Sequence, residues 1–154
     1  MKLSRALTEA KILYPMKSTE KQAAIQELVD FATTCYGEII TDPAGLTEDI
    51  LVRERVKSTG IGNGIAITHA ETTTVSKVVI VFGLSKSGIA FDSMDGKPVH
   101  FLFLIAAPPT KRVKYLSLLA GISRLFHHQD LRVAMKNAQS AAEAYQIIQK
   151  SEEG

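Results

Sequence analysis

Val99-His100-Phe101-Leu102-Phe103-Leu104-Ile105-Ala106-Ala107 is apolar at nearly every position. A strand with one wet face alternates polar and apolar residues, whereas one apolar on both faces is buried on both. This run therefore predicts a central strand covered by helices on each side. Pro108-Pro109 closes it, and Asp95-Gly96 marks a tight turn before it.

Beyond the prolines, Tyr115, Leu116, Leu118, Leu119, Ile122 and Leu125 recur at helical spacing and give a wide apolar face. Ser140 with Glu143 has the form of a capping box opening a last helix, with Ala144, Ile147 and Ile148 inward. On the other side, Val75 to Leu84 and Ile65 to Thr68 are rich in β-branched residues and predict two more strands. Further upstream, Thr19 with Gln22 predicts the start of a helix carrying Ile25, Leu28, Val29, Ala32 and Tyr36 on one face, stopped at Gly37. Thr41 to Gly45 reads as a turn. Thr47 then caps a shorter helix through Ile50, Leu51 and Val56, with Glu48 and Asp49 at its positive end and Arg55 and Lys57 at its negative end. Leu3 to Met16, containing Pro15, reads as an extended lead. The expected fold is α/β: one layered domain over residues 1–154, with a central mixed β-sheet flanked by helices on both faces.

The chain has 154 residues, enough for one self-sufficient core. Its 18 basic and 16 acidic residues leave +2, too small and too scattered a charge to predict nucleic-acid binding. The single Cys35 forms no internal disulfide, and no charged leader with a cleavable apolar segment is visible, so a cytoplasmic protein is expected. Phe101 to Pro109 is far shorter than the roughly 18 residues a membrane span needs, so no direct insertion is expected.

The stretch Ser58-Thr59-Gly60-Ile61-Gly62-Asn63-Gly64-Ile65-Ala66-Ile67-Thr68-His69-Ala70 places three glycines at alternate positions ahead of an imidazole. Nucleotide motifs run strand, glycine loop, helix. Here the glycines follow a helix and precede a strand, and no Gly-Lys-Ser/Thr occurs, which argues against a nucleotide site. Glycines that merely let the chain turn are the plain alternative. With Ile65 and Ile67 on one side of the strand, Ala66 and Thr68 fall on the other, and His69 arrives at its end. An accessible imidazole beside loop amides and the hydroxyls of Ser58 and Thr59 has what a phosphoryl acceptor needs. Ile61 is a candidate for an apolar rim that keeps water away from such a site.

Arg53 to Ala70, "RERVKSTGIGNGIAITHA", resembles the signature of the fructose/mannitol type of enzyme IIA of the bacterial phosphoenolpyruvate-dependent sugar phosphotransferase system, most closely its nitrogen-regulatory branch. The similarity extends through "KQAAIQELVDFA", "GIAFDSMDGKPVHFLFLIAAP" and "YLSLLAGISRLF", nearly the whole chain. The resemblance implies that His69 takes a phosphoryl group on Nε2 from a phosphohistidine of an HPr-like carrier protein. Arg53 matches the family's arginine near that histidine, and a fixed guanidinium suits phosphoryl oxygens. Ser58, Thr59 and Asn63 would add donors. An ordinary ion pair with Asp49 is the alternative for Arg53.

Two positions depart from the family. Thr68 stands where most relatives have proline, which restores an N–H and predicts a less rigidly held His69. Arg112 stands where many carry a second histidine. It cannot shuttle a proton but can clamp phosphate oxygens. The group's next destination, a IIB domain or a regulatory target, stays open, as do a phosphorylation-independent binding module and a homodimer built on an apolar edge.

The remaining candidates read as structural. His127 and His128 are adjacent and suit a solvated helix end. His100 is kept as a neighbour of His69 should their strands pair, and Cys35 reads as a small packing residue. No His-x-x-x-His or Cys-x-x-Cys pair occurs, so neither metal nor other cofactor is expected.

Overall fold

The computed structural model describes residues 2–153. Val99–Ala107 forms strand β5, the middle of a five-stranded mixed sheet. The other strands are β1 (Ile12–Leu13), β2 (Gly60–Gly62), β3 (Ile65–Glu71) and β4 (Val79–Ile89), in the order β1-β4-β5-β3-β2. β5 runs parallel to β3 and antiparallel to β4, so the β3 to β4 connection must pass over it. That passage consumes residues 72–78, and the strand expected from Val75 instead begins at Val79 and extends to Ile89.

The double-sided burial expected of β5 is observed. Phe101, Phe103 and Ile105 join one apolar cluster, and Leu102, Leu104 and Ala106 join the other. Helices α2 (Lys21–Tyr36) and α3 (Pro43–Val56) cover the second face through Ile25, Leu28, Leu46 and Ile50. The first face is covered by α1 (Leu3–Ala6), α4 (Arg112–Phe126), α5 (Gln129–Asn137) and α6 (Ala141–Glu153). On that face Phe82 stacks on Phe103 at 4.3 Å between centroids, with the edge of Phe126 against both. Helices on both faces of a mixed sheet are the layered arrangement expected.

Several element ends differ from expectation for local reasons. Helix α3 starts at Pro43, not at Thr47: the Asp42 carboxylate accepts from the Gly45 amide at 3.0 Å, and Pro43 lacks the N–H that would go unpaired there. Its inward stripe is Leu46, Ile50 and Glu54, while Val56 is 80% exposed. Thr19 caps nothing: α2 begins after Glu20, one residue past the expected cap, and the Thr19 carbonyl accepts from the Ala90 amide at 2.8 Å. Glu27, inside that helix, instead reaches back to the Lys17 and Ser18 amides. Gly37 does end α2 with φ +56°. Ser140 caps the last helix through the Glu143 amide at 3.1 Å, and Glu143 returns to the Gln139 amide at 2.8 Å. The extended lead contains α1 and β1, and a short helix, α5, follows His127 and His128.

Candidate functional site

The glycine stretch is a β-hairpin. Gly60 pairs with Ala66 and Gly62 with Ile65, and the chain reverses at Asn63 and Gly64, with φ +59° and +79°. Those left-handed values suit asparagine and glycine and match the twist of the flanking strands. Gly60 also lies so close to Ser93 that an added Cβ would sit 2.5 Å from its Oγ. β2 is short, and its last bond to β3 runs from the Ile67 amide to the Thr59 carbonyl at 3.2 Å. His69 therefore falls just past the paired stretch, on an open sheet edge, facing α4 on the same side as Ile65 and Ile67.

Its ring is half-buried and lies 6.1 Å from that of Tyr115 on α4. Nδ1 stands 2.6 Å from the Ile67 carbonyl oxygen, which only accepts, so Nδ1 carries the hydrogen and Nε2 the unshared pair. Burial holds the imidazole's pKa below its ordinary value. The Ile67 hydrogen bond works against that shift, Arg53 adds to it and Glu54 opposes it. The outcome is a neutral ring with a basic nitrogen at neutral pH. Thr68, on the opposite face, is fully buried and donates its hydroxyl to the Phe103 carbonyl at 2.7 Å. That bond fastens β3 to β5 immediately before His69.

Two adjoining hollows meet at His69. One, about 570 Å³, is lined by Asp49, Arg53, Glu71, Tyr115 and Leu116 among others. The second, about 310 Å³, adds Ser58, Thr59, Ile61 and Met94. Arg53 lines both. From the last turn of α3 its Nη1 donates to the Lys57 carbonyl at 2.9 Å, and it forms no ion pair among the described residues. Asp49, the partner considered from sequence, accepts instead from the Thr72 hydroxyl at 2.6 Å. An uncompensated guanidinium beside a neutral imidazole is an anion-binding arrangement.

Ser58 and Thr59 line the second hollow with their hydroxyl hydrogens already given away. Ser58 donates to the Phe91 carbonyl at 2.9 Å and accepts from the Gly60 amide at 3.1 Å. Thr59 gives both its amide and its hydroxyl to the buried Glu54 carboxylate, at 2.8 and 2.7 Å. Lys21 stands 3.1 Å from that carboxylate. Glu54 thus pins the loop beside His69, a role not assigned from sequence. Its place at the i+4 position after Ile50, on the apolar stripe of α3, is the signal that could have found it.

Asn63 lies apart, in a hollow with Asp95, Lys97 and Arg132, its amide bonded to Asp95. His100 lines that same hollow, since β3 and β5 pair with Ile65 opposite Phe101 and His69 opposite Ile105. The two histidines sit at opposite ends of the paired strands. Arg112 opens α4 and grips Glu71 with two N–H groups, Nε to Oε1 at 2.7 Å and Nη2 to Oε2 at 2.8 Å. Cys35 is half-buried on α2, its Sγ 3.5 Å from the Ala10 carbonyl oxygen. Among the described residues no three His, Cys, Asp or Glu side chains gather as metal ligands, and no helix is long and apolar enough to cross a membrane.

Fold and site together define a class: α/β sandwiches that present a histidine and an arginine to one hollow at the sheet edge. The chain belongs to the family described as phosphoenolpyruvate-dependent sugar phosphotransferase system, EIIA 2, which it matches over residues 5–151. It is 37% identical over 128 residues to a fructose-specific EIIA component of Haloferax volcanii, covering 83% of this chain and 82% of that protein. It is likewise 37% identical over 148 residues to a fructose-specific EIIABC component of Bacillus subtilis, covering 96% of this chain but spanning only 23% of that protein's length. A nitrogen regulatory protein of Bradyrhizobium diazoefficiens is 32% identical over 137 residues, covering 89% of this chain and 88% of the relative. Among solved structures, nitrogen regulatory protein IIA-Ntr of Neisseria meningitidis superposes with a TM-score of 0.85 at 25% identity, over 95% of this chain and 98% of that one. The Escherichia coli mannitol enzyme IIA, solved in complex with phosphorylated enzyme IIB, shares the fold at 18% identity, with a TM-score of 0.76 over 92% and 95% of the two chains.

Proposed function

We propose that this chain is a phosphocarrier in which Nε2 of His69 accepts a phosphoryl group from a phosphohistidine of an HPr-like carrier protein. The observation that carries the reading is the half-buried imidazole, its Nδ1–H tied to the Ile67 carbonyl, sharing a hollow with the unpaired Arg53 guanidinium. In the transfer the Nε2 unshared pair forms a new N–P bond as the donor's N–P bond breaks and its electron pair returns to the donor imidazole. The Nδ1 hydrogen stays in place, because a peptide carbonyl does not take it. Arg53 neutralises charge on the phosphoryl oxygens, while Ser58 and Thr59 hold the loop in shape. Asn63 lies outside this set.

Apolar side chains ring the two hollows and stay exposed: Val52, Ile61, Met94 and Leu116. Such a ring with a charged centre suits transient docking of a protein donor and excludes water from the labile N–P bond. The same face then serves the acceptor. The IIA-Ntr likeness supports a regulatory role for the phosphorylated chain. The fructose-specific relatives support a second reading, onward transfer to a IIB partner.

The test is incubation with phosphoenolpyruvate, enzyme I and an HPr-like carrier, followed by intact-mass measurement. The native chain gains one acid-labile phosphoryl group, His69→Ala gains none, and Arg53→Gln gains it about 100-fold more slowly. A gain on His69→Ala equal to native ends the proposal. Adding a fructose-type IIB domain to the phosphorylated chain separates the two readings, since only the second has it lose the group.

A further inference from the structure

The grip of Arg112 on Glu71 lies at the mouth of the His69 hollow rather than in either apolar cluster. It joins the first residue of α4 to the last residue of β3, and the arginine side chain is 63% exposed. The two-pronged geometry makes it stronger than an ordinary surface pair, but its open arginine side leaves it reachable by a more highly charged anion. Its position is what matters. Glu71 follows His69 by two residues on β3, so both side chains leave the same face of the strand, and both line the hollow that also holds Arg53 and Tyr115. Arg112 lies one helical turn before Tyr115, whose ring neighbours that of His69. Tyr115 registers the surrounding charges. Burial foremost, then the Glu71 carboxylate, push its phenol up to about 12, with Arg53 opposing. Arg112 in turn holds the Glu71 carboxyl below its ordinary range.

A phosphoryl group on His69 would bring close to two negative charges onto the strand face that already carries Glu71. The carboxylate and the phosphoryl oxygens would repel, and both would compete for the same fork of guanidinium N–H groups. Of the two anions, the phosphoryl group carries the higher charge and the partly shielded place.

Resting on the reading that His69 accepts the group, we propose that Glu71 is a resident counter-anion of Arg112, displaced when His69 is phosphorylated. Arg112 moves its two N–H donors from the Glu71 oxygens to phosphoryl oxygens, and Glu71 is left as an unpaired carboxylate on the docking face. No covalent bond or proton moves in this exchange. It has two consequences. The phosphorylated and unphosphorylated forms show a partner different charge patterns beside His69. The freed carboxylate also keeps the N–P bond ready to transfer, because losing the phosphoryl group restores the Arg112–Glu71 pair.

The experiment brings native chain, Glu71→Gln, Arg112→Gln and the double variant to equilibrium with a limiting amount of phosphorylated HPr-like carrier, reading each phosphorylated fraction by intact mass. Arg112→Gln lowers the ratio of phosphorylated to free chain, and Glu71→Gln raises it about tenfold by freeing Arg112. In the Arg112→Gln background that rise shrinks to less than a third, leaving only relief of direct repulsion. A second readout needs no variant and no acid: the NMR signal of the Arg112 Nε–H at neutral pH, which shifts on phosphorylation as its partner changes from the Glu71 carboxylate to phosphoryl oxygens. The proposal is overturned by a Glu71→Gln effect as large without Arg112 as with it, by an Arg112→Gln variant phosphorylated as fully as native, or by an Arg112 Nε–H signal that does not shift on phosphorylation. Failure of native chain to take up any phosphoryl group overturns the phosphocarrier reading and this proposal together, and differs from the other outcomes in leaving no ratio to compare.

Discussion

His69 is made useful by what its ring does not have. Its Nδ1–H is engaged, Nε2 has no protein partner among the described residues, and burial disfavours the charged form. The sign of the pH dependence follows. Because the folded state lowers this pKa, the ring stays neutral as pH falls through its ordinary value of about 6.5, and NMR titration of the His69 ring places its midpoint below that ordinary value. Below that ordinary value the unfolded chain binds the proton before the folded one does, so this group subtracts stability in acid and contributes nothing above neutrality. His69→Gln therefore loses less stability than native between about pH 8 and pH 5 in urea titrations. Glu54 acts beside it through the loop. Glu54→Ala strands the Thr59 amide and hydroxyl in a buried place and is expected to cost about 1–3 kcal/mol, read from the urea midpoint.

The ends of α3 show how an element is specified and how its reading goes astray. Thr47, Glu48 and Asp49 look like a helix start, yet Asp42 caps the helix and Pro43 begins it, more than a turn earlier. Both signals follow the same rule, and the deciding fact lies outside the segment: Thr41 and its neighbour Asp42 are held by the Thr74 carbonyl, which fixes where the chain leaves its turn. Asp42→Ala should cost about 1 kcal/mol of stability, and Thr47→Ala clearly less, since Thr47 gives only a 3.3 Å bond to the Pro43 carbonyl. The helix packs Leu46 and Ile50 inward, which at the same spacing presents Glu54 inward and Arg53 to the His69 hollows. Strand β4 teaches a similar point, because its start depends on clearing β5 rather than on where the valines begin.

Across the molecule the sheet divides the labour. One face is closed by α2 and α3 and the other by α1, α4, α5 and α6, and the open edge beyond β2 is where α3 and α4 approach each other around His69. On the proposed reading, the exposed apolar ring there serves association with a protein donor rather than the core. Charge placed on it, as in Met94→Lys or Leu116→Asp, is expected to raise the KM for a phosphorylated carrier about tenfold while leaving the urea midpoint unchanged, since 69% and 53% of these side chains already face solvent.

The layered α/β architecture was legible in the run from Val99 to Ala107, because burial on two faces leaves no polar alternation and period alone reports it. The strand holding His69, the glycine punctuation and the capped last helix were legible for the same reason, that each rests on neighbours within a few residues. The assembly around the imidazole rests on longer reach. The pairing of β3 with β5 sent His100 to the far end of the strand, the hairpin turned Asn63 away, and the start of α4 gave Arg112 a carboxylate partner distant in the chain. Local chemistry in this protein is written in adjacent side chains. Which of them meet is decided by strand order and register, because those set distances that no spacing along the chain encodes.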